Sequence, residues 1–319
     1  MKKFFKKLLT AFCALCVILP SLLLFACNGV GDSGKPLIVV SIYPEYDYVL
    51  SVLGEKRSEF EIRLLANGVD MHSFSPSFED VVSISRCDVF IYVGGESDGW
   101  ADDAVKNVKQ GTAVIKLLDV LGSLALREKV INSDEEEDEL DEHVWLSLRN
   151  SVLFVDEIAA ALSALDGENA SIYAENASAC TAALTALDEE FAETVANAKH
   201  DTLVFGDRFP FRYLVNDYGL KYYAAYSGCS AESQVSFDTI ILLADKLDEL
   251  GITNLCVTET CDMRLAESII AASNDKIRPV VTLDSLQNKS VSDHQKGETY
   301  AYCMRKNLSA LARALNDEE

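Results

Sequence analysis

The chain has 319 residues, 28 of them Lys or Arg and 51 Asp or Glu, for a formal net charge of −23 at pH 7. So acidic a molecule repels nucleic acid phosphates and anionic lipid heads, and it suits cationic ligands. Its length fits two domains, or one large one.

Residues 1–27 read as a secretory leader. MKKFFKKLL carries four lysines and no acid, an apolar run follows from Leu8 to Ala26, and LLFAC ends it. The small residue before Cys27 is similar to a bacterial lipobox, in which the cysteine takes lipid and becomes the new N-terminus. An uncleaved membrane anchor is the other reading, although the run is near the minimum for a span. Either places the rest of the chain on the extracytoplasmic face of the cell membrane. Six cysteines follow the leader (Cys87, Cys180, Cys229, Cys256, Cys261 and Cys303), and the sequence does not choose among their 15 pairings. None is spaced CxxC, so a thiolate zinc site is not expected.

Alternation of strand and helix begins with KPLIVVSIYP, a strand from Leu37 stopped at Pro44. EYDYVLSVLG is a short helix and FEIRLLANG the next strand. After a loop holding His72, Ser75-Pro76 opens a helix to about Arg86. DVFIYVGG, ADDAVKNVKQG and TAVIKLLDV continue as strand, helix and strand. The pattern then changes: Trp145 to Leu165 and about Asn169 to Ala198 read as helices, the second alanine-rich and free of Gly and Pro. DTLVFG, LKYYAAYSG, NLCVTE and RPVVTLD are later strands, with helices between them and a last helix from about Gly297. This predicts an α/β fold of two similar lobes with parallel sheets, joined by one long helix. The lobes are expected at residues 35–165 and 200–319, with the linker helix at 169–198.

Only four histidines occur. His200 lies at a helix end and His294 in a polar stretch, so both read as structural. His72 and His143 fall where open α/β sheets place ligands, beyond strand ends. Acids gather at the same kind of position in the second half: Asp207 after LVFG, Glu259 after NLCVT and Asp284 after RPVVTL. Such acids also serve as plain helix N-terminal carboxylates. A competing pattern is Gly95-Glu96-Ser97-Asp98-Gly99, which matches the GxSxG nucleophile elbow; Asp284 and His294 would complete its triad in the right order.

Several segments together resemble one family. GVDMHSFSPS, DEHVWLSLRN, DGENASIYAENA, FRYLVNDYGL and VTLDS are similar to motifs of the cluster A-I, or ZnuA-like, solute-binding proteins of bacterial zinc and manganese ABC transporters. The likeness covers nearly the whole chain after the leader, and the family includes adhesin-like members. It implies a lipid-anchored, non-catalytic protein that acts as a monomer. Such a protein captures Zn²⁺ or Mn²⁺ in the cleft between two lobes and delivers it to a membrane permease. It further implies His72 and His143 as metal ligands from the first lobe and Asp284 from the second.

The family's third ligand position is filled here by Arg208, which has no lone pair to give. Asp207 beside it is the expected replacement. A bound chelate, its anionic group paired with Arg208, is a further reading, as is a serine or metal-assisted hydrolase. Before His143, residues 134–142 hold eight carboxylates among nine residues. Residues 132–142 fall where zinc-type members carry a mobile loop rich in His and acids; here it holds carboxylates and no histidine, and it is expected to be loose and to attract cations through its field.

Overall fold

The computed structural model describes residues 34–129, 131, 132, 136–228 and 235–318; the leader with Cys27, and Cys229, lie outside the described residues. Pro36–Glu319 packs as one unit. Its first lobe is built on β1 (Leu37–Val40), β2 (Glu61–Leu64), β3 (Val89–Tyr92) and β4 (Ala113–Lys116). These form a parallel sheet in the order β2-β1-β3-β4. Its helices are α1 (Tyr43–Leu53), α2 (Phe78–Arg86), α3 (Trp100–Val105) and α4 (Leu117–Leu121). Every residue of β3 is buried, as expected of a parallel strand covered on both faces.

The helix expected from Ser75-Pro76 starts later. Ser77 caps it, accepting from the Asp80 amide while the Asp80 carboxylate accepts from the Ser77 amide. An acid three residues after a serine makes that reciprocal cap available, and it fixes the first turn.

A second difference lies in the acidic run. β5 (Arg127–Lys129) pairs antiparallel with β6 (Glu136–Leu140), so much of the expected loose loop is a hairpin strand. Lys129 stands across from Glu136, and Arg127 donates to the Asp138 carbonyl. The Arg127 guanidinium also lies 3.8 Å from the Asp138 carboxylate, and opposite charges across a ladder stabilise it.

α5 (Leu148–Leu165) and α6 (Ala170–Ala196) follow. The 27 residues of α6 extend about 40 Å, enough to reach along both lobes. Near its start Tyr173 meets Phe60 of the first lobe edge-on; near its end Phe191 stacks on Tyr218 of the second. The second lobe consists of β7 (Thr202–Phe209), α7 (Arg212–Tyr218), β8 (Lys221–Ser227), α8 (Phe237–Leu250), β9 (Leu255–Thr258), α9 (Met263–Ala272), β10 (Val280–Leu283), α10 (Val291–Gln295) and α11 (Tyr300–Asn316). Its parallel sheet has the order β10-β9-β7-β8. The two lobes, their parallel sheets and the connecting helix are as predicted.

The lobes are tied by buried polar contacts. The Trp145 indole donates to the Ser285 carbonyl at 2.9 Å, and the Tyr300 hydroxyl donates to the Trp145 carbonyl at 2.6 Å. Ser151 lies within hydrogen-bond distance of both Tyr48 and Tyr300. Among the described cysteines, Cys87, Cys180, Cys256, Cys261 and Cys303 are all free thiols. No helix of the described residues is long and apolar enough to cross a membrane.

Candidate metal centre

Both candidate histidines are set by the same local device. Asp70 accepts from the His72 amide at 2.9 Å, and Asp141 accepts from the His143 amide at 2.9 Å. An aspartate bonding the backbone two residues on makes a tight turn. The Asp-x-His spacing therefore delivers each imidazole from a fixed corner, one after β2 and one after β6.

Each ring is then oriented through Nδ1. His143 Nδ1 lies 3.1 Å from Asp141 Oδ1, and His72 Nδ1 lies 3.1 Å from Glu142 Oε1. Ser97 also meets His72 Nδ1, at 2.6 Å, and gives its own hydroxyl hydrogen to Glu142. Carboxylates at both Nδ1 atoms keep the hydrogens there and leave the lone pairs on Nε2. The two Nε2 atoms converge to 3.2 Å. Two lone pairs this close repel unless a cation lies between them. Two imidazoles on one tetrahedral zinc, with bonds of 2.0–2.1 Å, have their nitrogens about 3.3 Å apart. The spacing fits two ligands on a shared ion, and it equally fits an N–H···N hydrogen bond between the rings.

Two glycines give the site its close approaches. A side chain at Gly95 would come within 2.2 Å of the Glu142 carboxylate, and one at Gly228 within 2.7 Å of the His143 ring. Burial works against ionisation of Glu142, but His72, His143 and Ser97 outweigh it and hold its carboxyl down at about 2. Burial likewise works against charging His143. Asp141 first, then Glu142 and Glu128, overcome this and raise its pKa.

The acids expected from the second lobe each have a protein partner. Asp284 is gripped by Lys289 at 2.8 Å, and it accepts from the Leu286 amide. Asp207 accepts from the Thr258 hydroxyl. Glu259 holds the amide and hydroxyl of Ser285; burial, then the charge of Asp284, raises its pKa. Among the described residues no group of three or more His, Cys, Asp or Glu is arranged to hold a metal ion. The second-lobe side chain that does reach the histidines is Gln287, its Nε2 3.3 Å from His72 Nε2. Leu286 takes a left-handed conformation, φ 61°, in the turn that leads to it. A half-turn of the Gln287 amide would present its oxygen instead.

Asp207 and Arg208 belong to β7 itself, which runs on to Phe209. An irregularity in the pairing with β8 between Phe205 and Arg208 lets two successive residues border the same cleft. That cleft, of about 520 Å³, is also bordered by Asp70, Gly228, Thr258 and Gln287.

The serine elbow does not operate as a triad. Ser97 is turned to His72 and Glu142, while His294 pairs with Asp47 at 3.1 Å, and Asp284 with Lys289. Within the pentapeptide, Asp98 accepts from the amides of Val93 and Gly94, closing the turn after β3. Sequence reasoning missed Asp141, Glu142, Ser97 and Gln287 as partners of the histidines. The repeated Asp-x-His was a readable signal for the first of these.

Comparison with known proteins places the chain and its fold. The zinc-binding lipoprotein AdcA of Streptococcus pneumoniae serotype 4 is 29% identical over 98% of this chain and 62% of its own length. The chain thus spans less than two thirds of that relative. The high-affinity zinc uptake system protein ZnuA of Bacillus subtilis is 26% identical over 92% of this chain and 94% of its own. The Zn(II)-bound ZnuA-like domain of S. pneumoniae AdcA superposes with a TM-score of 0.70 at 27% identity, covering 88% of this chain and 99% of that one. The profile of ZnuA, described as zinc-uptake complex component A, periplasmic, matches residues 38–314, and the chain belongs to that family.

Proposed function

We propose that this protein is an extracytoplasmic solute-binding lipoprotein that captures a divalent metal ion, Zn²⁺ or Mn²⁺, and hands it to the permease of an ABC transporter. The observation that carries the reading is the pair of Nε2 atoms at 3.2 Å, each backed by a carboxylate at Nδ1. Membership of the family and the zinc named for its relatives support it, as does the strongly acidic chain. The ion is held by His72 and His143. Asp207 and Asp284 are further candidate donors that would first have to leave Thr258 and Lys289. Anchoring is through lipid on Cys27, and no catalysis is assigned.

Imidazole suits zinc, and carboxylate or amide oxygen also suits manganese. Calorimetric titration of untagged protein with each ion tests the reading. One ion per chain, with a rise in melting temperature, is expected. No binding of either ion by the folded protein would overturn it. Intact mass of the membrane-extracted protein tests the anchor: an acylated species beginning at Cys27 is expected, and an unmodified chain beginning elsewhere would refute it.

A further inference from the structure

Arg208 sets this site apart. It borders the cleft with Gln287 and Asp207 and, in a chain of net charge −23, it has no ion pair or hydrogen bond among the described residues. The acids around it already have donors. Asp207 accepts from Thr258, Asp70 from the His72 amide, and Asp262 pairs with Arg264. A guanidinium left unpaired among so many carboxylates, at the wall of a binding cleft, is a receptor for an anion carried in from outside. Its planar fork matches a carboxylate with two parallel hydrogen bonds.

Two other observations converge on the same conclusion. Zinc takes four ligands, and two imidazoles supply half of them. Since no third His, Cys, Asp or Glu joins the pair among the described residues, Gln287 could add one amide oxygen at most. The cleft is also far larger than an ion needs: about 520 Å³ is the volume of a small-molecule site. Gln287 borders this cleft and also touches His72, so the room and the positive charge adjoin the histidine pair.

We propose that the site takes its ion as a complex with a small carboxylate-bearing chelator. The metal sits on the Nε2 atoms of His72 and His143, one chelator carboxylate sits on Arg208, and the chelator's other donors complete the metal's coordination. This rests on the metal-binding reading given above and goes further, because the cargo becomes the complex and not the bare ion.

The test is equilibrium dialysis of the full chain at a fixed free Zn²⁺ concentration, with isotopically labelled citrate, malate, oxalate or L-histidine added in turn. At least one of these is expected to be retained in equal amount with zinc, only when zinc is present, and to tighten zinc binding at least tenfold. Arg208→Gln should abolish retention of the chelator and, with it, the chelator's tightening of zinc binding. Arg208→His should make zinc binding tight and independent of chelator. Melting curves of each variant confirm the fold. If zinc binds equally well with and without all four chelators and none is retained, the proposal fails while metal binding stands. Retention of a chelator without zinc also overturns it. Absence of zinc under every condition defeats the metal reading itself.

Discussion

The Glu142 carboxylate holds His72 at Nδ1, while its chain neighbour His143 meets the same ring at Nε2. One dipeptide therefore both orients the first histidine and supplies the second. Groups that orient a metal-binding histidine are worth about 10–100-fold in metal affinity. Glu142→Gln should lower zinc affinity by about that factor and also lower the melting temperature of the metal-free protein, since its depressed carboxyl is stabilising at neutral pH. Titration with zinc, alongside nitrogen NMR of the His72 tautomer, checks this. Affinity within threefold of the parent and an unchanged tautomer would show that Glu142 does not position the ring.

The histidines and the two aspartates should separate in a thermal-shift experiment. Ligand present at 1,000 times Kd stabilises a protein by about 4 kcal/mol. His72→Ala and His143→Ala are each expected to remove most of that increment. Asp284→Ala should leave the zinc increment but destabilise the metal-free protein by about 1.5 kcal/mol, since Lys289 loses one carboxylate partner and keeps Glu298. Asp207→Ala should have a small effect on both. Loss of the zinc increment in either aspartate variant would make that residue a ligand.

Stability should fall as pH rises from about 5 to 8. Burial, more than the charge of Asp98, raises the Glu45 carboxyl to about 8; burial, with the charge of Glu142, raises Asp98 to about 7. Each acid binds its proton more tightly when folded. The stabilising contribution is therefore full below the unfolded pKa, near 4, and is lost as pH climbs through the folded value. Glu45→Gln should flatten this slope, because a neutral amide can still accept from the amides of Ser41 and Ile42. Urea midpoints at pH 5 and pH 8 measure it. An unchanged slope would mean that Glu45 is ionised in the folded protein across this range.

The exposed charges of β6 should act on capture and not on holding. Asp138→Asn with Glu139→Gln is expected to slow zinc association about two- to threefold at low salt, with little effect near 0.5 M salt. Stopped-flow measurements across an ionic-strength series decide it. A change confined to the dissociation rate would place these acids in the site itself.

The sequence by itself determined the alternation of strands and helices, the long unbroken helix and the two histidines beyond strand ends. These are local matters: the apolar periods, the proline and glycine stops and the Asp-x-His turns act within a few residues. It also placed an arginine where a ligand was expected, which was legible without coordinates. Tertiary structure alone decided which partner each acid took. Asp284 could have faced the cleft, yet Lys289, five residues on, captures it. Glu142 ends a run that reads as solvated charge, yet it is buried against His72, Ser97 and the bare face of Gly95. Gln287 reaches His72 across 215 residues of chain. A carboxylate carries no record of its partner in the sequence, because its ion pair is set by whatever the packed lobes bring within about 4 Å.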